Sequence, residues 1–396
     1  MKTIAFFLFA LMTTITLRAA DLPKLNDPLA TPQTVALYSN LHRPGHDRFL
    51  FGHQDSLAYG HDWSGEPNRS DVKDVTGDFP AIYGWDMGIV EANLAGNTAG
   101  GEQFNPATLL RYVKEAQARG GIVTFSWHCR NPITGGLFND MTPAVKAILP
   151  GGAKHEAYKK TLDAFAEFFK QIAPMPVIFR PFHEHNGDWF WWGKTHASEA
   201  DYIALWRFTE EYLRDVKGVH NLIYAYSPDR SRINLSRGRE DYLYGYPGDA
   251  YVDVLGLDDY IDVRPPKYPG ESSFEDKKQE FVRSLTLLAT LADERHKIPA
   301  LTETGCEKLE VPNWWTERLL PGLRANEKTR EIAWAMVWRN ANAANEKVEH
   351  FYVPYKGHPS APDFVKFHDA PDVLFESELP PMYAADAGTD KPATKK

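Results

Sequence analysis

Two glutamates in this sequence each close an apolar run: Glu184 follows Val177-Ile-Phe-Arg-Pro-Phe-His183, and Glu303 follows Ile298-Pro-Ala-Leu-Thr302. If both runs are strands of one sheet, the two acids face a single crevice although they lie far apart in the chain. A carboxylate pair of that kind is what glycosidic cleavage requires: one acid protonates the leaving oxygen while the other attacks or activates water. The alternative is a pair of structural acids bonded to Arg180 or Arg339. The segment after Glu184 carries Trp189, Trp191 and Trp192, and Trp338 closes a later run. Indole plates beside a carboxylate favour sugar rings, whose apolar faces they stack on while the N–H reaches a hydroxyl. One or more of these indoles is expected to be structural.

Other chemistry is less well served. His183, His185 and His128 invite a metal reading, since histidines two apart on a strand share a face. The H-E-x-x-H spacing is absent, however, and the chain has only two cysteines, Cys129 and Cys306. No G-x-S-x-G elbow supports a serine nucleophile. Neither metal nor cofactor is expected. The cysteines fall after the third and seventh strands proposed below, on opposite sides of a barrel, and are read as free, partly buried thiols.

Strand-like runs cover residues 49–53, 79–86, 121–128, 177–184, 221–227, 252–260, 298–303 and 333–338. Their starts are about 30 to 55 residues apart, room for a helix each and too far for hairpins. Helical periodicity predicts segments over 106–119, 157–172, 198–217, 274–295, 313–320 and 361–375. In 198–217, Ser198 is the N-cap and Tyr202, Leu205, Thr209, Tyr212 and Val216 form a buried stripe. Eight alternations predict an α/β fold, a (β/α)8 TIM barrel forming a single catalytic domain over residues 21–383. An open doubly wound sheet would carry a glycine-rich phosphate loop after its first strand, which is lacking. In a barrel, function gathers where strands end, at His53, Trp85 and Asp86, His128, His183 and Glu184, Asp258 to Tyr260, Glu303, Trp338 and Arg339.

Met1-Lys2, the apolar run Ile4–Leu17 and Arg18-Ala-Ala-Asp21 read as a secretory signal peptide over residues 1–20. The run is too short to span a membrane. No cysteine follows it to carry a lipid, so the expected location is periplasmic or extracellular. The tail from residue 384 is small, polar and expected to be disordered. With 44 basic and 53 acidic residues, net charge −9, and no run of about five or more Lys or Arg, the chain has no footprint for nucleic acid. Aromatic residues make 13% of it, more than an aliphatic barrel core calls for. A monomer is adequate for the proposed chemistry.

The stretch Arg180-Pro-Phe-His-Glu-His-Asn-Gly-Asp-Trp-Phe-Trp-Trp-Gly193 resembles the acid/base motif of glycoside hydrolase family 26, best known for β-mannanases. Thr302-Glu-Thr-Gly305 is similar to that family's nucleophile strand, Ser126-Trp-His128 to its third, Asp258-Asp-Tyr260 to its sixth and Trp338-Arg339 to its eighth. The resemblance implies a retaining mechanism, with Glu184 as acid/base and Glu303 as nucleophile. It also implies that His183 orients the acid and sugar, that His128 and Trp338 shape the site of the attacked sugar, and that Trp189 lies beside it. Tyr260 would bond the nucleophile, and Arg339 would contact the next sugar toward the non-reducing end. The implied substrate is a β-1,4-mannan, glucomannan or galactomannan. Mixed-linkage β-glucan, β-1,3-xylan, a non-catalytic polysaccharide receptor and a metal-dependent amidohydrolase are the alternatives. Loops around Gly96–Gly101 and Pro132–Gly152 would decide between internal cleavage and release of mannobiose.

Overall fold

The computed structural model describes residues 25–42, 48–96 and 105–385, so residues 1–20, read above as a signal peptide, lie outside it, as do residues 97–104 of the loop around Gly96–Gly101. Eight parallel strands close on themselves: β1 Phe49–Gln54, β2 Ile82–Asp86, β3 Ile122–Trp127, β4 Val177–Pro181, β5 Leu222–Tyr226, β6 Val254–Asp259, β7 Ile298–Thr304 and β8 Trp334–Val337. Each pairs with the next, and β8 returns to β1 through Leu50↔Trp334 to His53↔Val337. The (β/α)8 barrel read from the sequence is therefore the fold.

Period-two alternation sorts every strand into an inward and an outward row. The lower inward layer takes one residue from each strand, Leu50, Ile82, Ile122, Ile178, Ile223, Val254, Ile298 and Trp334, and is plugged from below by Leu37, Tyr38 and Leu41 of helix α1 (Pro32–Leu41). Phe51, Tyr83, Phe125, Phe179, Tyr224, Leu255, Leu301 and Ala335 point outward into the larger core beneath the helices. That outer core absorbs many of the aromatic residues. Gly256 occupies an inward position where a Cβ would meet Thr302 Oγ1 at 2.6 Å, so the β6 backbone approaches β7 as only glycine allows.

Several expectations are corrected. The helix beginning at Glu199 runs as α-helix only to Glu211 and then as a π-helical turn over Tyr212–Val216, whose extra residue rotates the stripe and leaves Val216 66% exposed. Ser198 does cap it, accepting the Asp201 N–H. The helix expected over 361–375 ends at His368; Pro371 cannot continue it, and Val373–Leu374 instead pair in parallel with Phe49 and Leu50. The segment 313–320 is π-helical over Trp315–Leu319 before one α-turn, Leu320–Leu323. Helix α1 and a small hairpin, Tyr59–Gly60 with Trp63–Ser64, were not read from the sequence. Cys129 and Cys306 are free and fully buried. Of the tail, only residues 384 and 385 are described, and the Ala384 carbonyl accepts a hydrogen bond from Asn40. No helix among the described residues is long and apolar enough to cross a membrane.

Candidate active site

Above the apolar layer the inward rows turn polar. Following each strand by twos gives Asp86 on β2, Ser126 and then His128 on β3, Arg180 on β4, Ser227 after β5, Asp258 on β6, Thr302 on β7 and Trp338 after β8. His53 and Trp85, counted above as strand-end candidates, fall on the outward rows: Trp85 stacks on Tyr83 at 5.9 Å under the helices, and burial lowers the His53 pKa to about 3.

Glu303 breaks the alternation. By strict period it would share the outward side of Leu301, but the register slips at this level between β6 and β7, where Leu257 pairs with Leu301 and Asp258 with Glu303. The slip turns two consecutive residues of β7 toward the crevice, the re-aiming that bulges near active sites produce. Thr302 Oγ1 donates to Asp258 at 2.7 Å. Glu303 accepts a hydrogen bond from the Arg180 guanidinium on one oxygen and from the Tyr260 hydroxyl on the other, the latter at 2.8 Å. Arg180 is itself buried and bridges to Asp258 at 2.7 Å. The pairing of Arg180 with Glu303 named as a structural alternative thus exists, and it anchors the acid within the crevice.

Glu184 arrives differently. Strand β4 stops at Pro181, and two non-glycine residues in left-handed conformation, Phe182 (φ 50°) and Glu184 (φ 52°), swing the chain so that Phe182 enters the outer core and Glu184 faces the opening. Such backbone is uncommon and clusters at functional sites. The turn is held by the Glu184 N–H on the Ser227 carbonyl at 2.8 Å. Trp189 Nε1 donates to the Glu184 carboxylate at 2.7 Å. Burial, then the negative charges of Asp229, Asp258 and Glu303, hold Glu184 well above the ordinary glutamate range, with the Trp189 N–H opposing them. One carboxylate oxygen from each of Glu184, Asp258 and Glu303 lies within 4.8 Å of the others. No histidine belongs to this group, the one cluster of potential metal ligands among the described residues, and Arg180 already sets a cation against two of its members.

The glycosyl hydrolase family 26 model matches residues 26–315. The chain belongs to that family. A mannan endo-1,4-β-mannosidase of Bifidobacterium adolescentis is 35% identical over 372 residues, covering 89% of this chain and 36% of the relative. One of Bacillus subtilis is 32% identical over 221 residues, 52% of this chain and 57% of the relative. The chain thus spans about a third to a little over half of the length of these curated relatives. Among solved structures, the family 26 β-mannanase BoMan26A of Bacteroides ovatus superposes with a TM-score of 0.78 at 39% identity, covering 89% of this chain and 98% of that one.

Within this family 26 site the remaining expected residues take distinct places. His128 lies with its ring centroid 4.7 Å from that of His183 and 5.7 Å from that of Trp338. Burial, then the Arg180 and His128 charges, push His183 well below the ordinary histidine value, and its ring packs on Phe190 at 5.2 Å. Arg339 forks onto both oxygens of Glu346 at 2.7 Å and donates to the Tyr59 hydroxyl at 3.2 Å, so it stands at the β8 to β1 side of the opening. Trp189 is partly exposed, whereas Trp191 and Trp192 are fully buried and donate to the carbonyls of Cys129 and His183 at 2.9 Å. These two are structural. Sequence reasoning missed Tyr352, wedged between Tyr260, 5.8 Å away, and Gly305, where a Cβ would come within 2.3 Å of its ring. The pair Gly305 and Phe351-Tyr352 carries no spacing signal, because a loop brings them together.

Proposed function

We propose that this protein is a retaining β-mannanase that cleaves β-1,4-mannosidic bonds in mannan, glucomannan or galactomannan. The observation that carries the reading is the close-set, chemically unequal pair Glu184 and Glu303. Carboxyl groups about 5 to 5.5 Å apart belong to retaining enzymes, whereas inverting ones keep about 6.5 to 9.5 Å for a water. Glu303, addressed by the donors Arg180 and Tyr260, is the nucleophile that bonds to the anomeric carbon. Glu184, kept protonated by burial and by neighbouring negative charge, gives its proton to the leaving oxygen. Once Glu303 is esterified its charge is gone, Glu184 becomes more acidic, and it then takes a proton from the water that attacks the same carbon and frees Glu303. Trp189, bonded to the acid, and Trp338 and His128 across the opening are the walls of the attacked sugar's site. Arg339 serves the next sugar.

The sugar is assigned from the names of the relatives, each given as a mannan endo-1,4-β-mannosidase. The protein works as a secreted enzyme, a reading supported by the sequence of residues 1–20. The test is a time course of products from linear β-1,4-mannan. A spread of oligosaccharides supports internal cleavage, mannobiose from the earliest points supports action from a closed groove, and no products from mannan overturn the assignment of the sugar.

A further inference from the structure

The ends of β2 and β3 are joined by one side chain. The Asp86 carboxylate accepts the Gly88 N–H at 2.7 Å, the Ser126 hydroxyl at 2.8 Å and the His128 backbone N–H at 3.1 Å, and lies 2.7 Å from His128 Nδ1. An ionised carboxylate only accepts, so Nδ1 carries a proton. The other ring nitrogen, Nε2, has no partner of this kind among the described residues, and the ring lies beside Trp338 with centroids 5.7 Å apart. A second half-buried acid, Glu91, fixes the same segment by accepting the Trp127 indole N–H and the Arg130 N–H, both at 3.0 Å. Asp86 at the end of β2 and Glu91 in the helix that follows therefore hold His128, Trp127 and Arg130 through backbone and ring donors.

We propose that Asp86 is a positioning residue of the active site, which locks the His128 ring with Nδ1–H on its carboxylate and presents Nε2 to a hydroxyl of the sugar bound beside Glu303. The sugar contact rests on the glycosidase reading above; the Asp86–His128 lock does not. The charged groups facing the ring are Asp86, Glu303 and Asp55, with Arg180 on the other side of the balance and the His183 ring packed beside it. Burial works against an imidazolium, but the Asp86 carboxylate outweighs it, and His128 stays above the ordinary histidine value. Asp86 is held below the ordinary aspartate value: burial opposes this, and the His128 charge and hydrogen bonds overcome it. His183, one ring away, is pushed the opposite way. The two histidines are thereby split into one whose imidazolium form is favoured and one kept neutral, a division like that of two carboxylates whose surroundings separate them.

The experiment is a titration of protein with 15N-labelled histidine followed by NMR, with His128 assigned by its loss in His128→Asn. The expected result is a His128 that keeps its Nδ1 proton throughout and titrates above about 6.5, the ordinary value. In Asp86→Asn its midpoint falls below that of the native protein. The measurement on the native protein stands if Asp86→Asn does not fold. Turnover then tests the consequence: kcat/KM on manno-oligosaccharide drops roughly 10- to 100-fold in Asp86→Asn, the range of one hydrogen bond to a charged partner. The double variant with His128→Asn is no worse than His128→Asn alone. A native His128 protonated at Nε2 alone when neutral, a midpoint that does not move in Asp86→Asn, or additive losses in the double variant would each overturn the proposal. Because the titration needs no turnover, a protein inactive on mannan but showing this lock would refute the function and leave the lock standing.

Discussion

Trp189→Phe tests the division of labour between the two glutamates. The substitution keeps an aromatic ring and removes the Nε1–H that donates to Glu184 at 2.7 Å. That hydrogen bond favours the ionised acid, acting against burial and against Asp229, Asp258 and Glu303. A hydrogen bond is worth about 1.5 to 3 kcal/mol to a charged partner and about 0.5 to 1.5 kcal/mol to a neutral one, so its loss costs the ionised form about 1 to 1.5 kcal/mol more than the protonated form. At 1.36 kcal/mol per pH unit, Glu184 should hold its proton about one unit higher. The alkaline limb of kcat/KM, which reports the free enzyme's acid, should move to higher pH by that amount. The assay is kcat/KM on a manno-oligosaccharide across the pH range. Lost contact between the indole and the sugar should also raise KM at every pH, which changes the height of the profile and not its position. A limb that stays in place, or moves to lower pH, would refute the argument that Glu184 is the acid and Trp189 its partner.

Glu303→Ala should reduce turnover to background while manno-oligosaccharide still binds by calorimetry, and added azide should restore a glycosyl azide product; strong residual hydrolysis would remove Glu303 from the nucleophile's role. Glu184→Ala should lose about 10²- to 10⁴-fold on mannan yet retain reaction with aryl glycosides whose leaving groups need no proton, and equal losses on both substrates would count against it as the acid. Trp192→Ala should lower the unfolding free energy by about 3 to 5 kcal/mol in denaturant titration, because it empties a fully buried site. An unchanged midpoint there would mean that Trp192 is not part of the packed core.

Where sequence and structure agree, the reason is local. Strand identity at all eight positions follows from short apolar runs spaced widely enough for crossover helices, and barrel closure follows from their number. Asp258, Asp86 and His128 were each legible as residues at a strand end, Arg180 was legible only as a possible partner of the acids, and period two alone places Asp86, Arg180 and Asp258 inside. The same counting excludes His53 and Trp85, which strand-end position alone had kept as candidates. The Ser198 cap could likewise be read, because the cap and the amide it serves are three residues apart.

Tertiary structure decided what depends on contacts between distant segments. Glu303 faces the crevice because the register slips between β6 and β7, and a register is a property of two strands. Glu184 lies beyond its strand, swung there by left-handed backbone that neither Phe182 nor Glu184 prefers and that the bond to Ser227 helps hold. Three tryptophans within four residues look equivalent in sequence, but only packing separates Trp189, bonded to the acid, from Trp191 and Trp192, sealed in the core. The π-helical turn that exposes Val216 and the lock of Asp86 on His128 are of the same kind. Residue types and short-range periodicity determine which groups reach the active face. Their partners, charges and exact aim come from long-range packing, because hydrogen bonds and burial are set by atoms that the chain brings together only on folding.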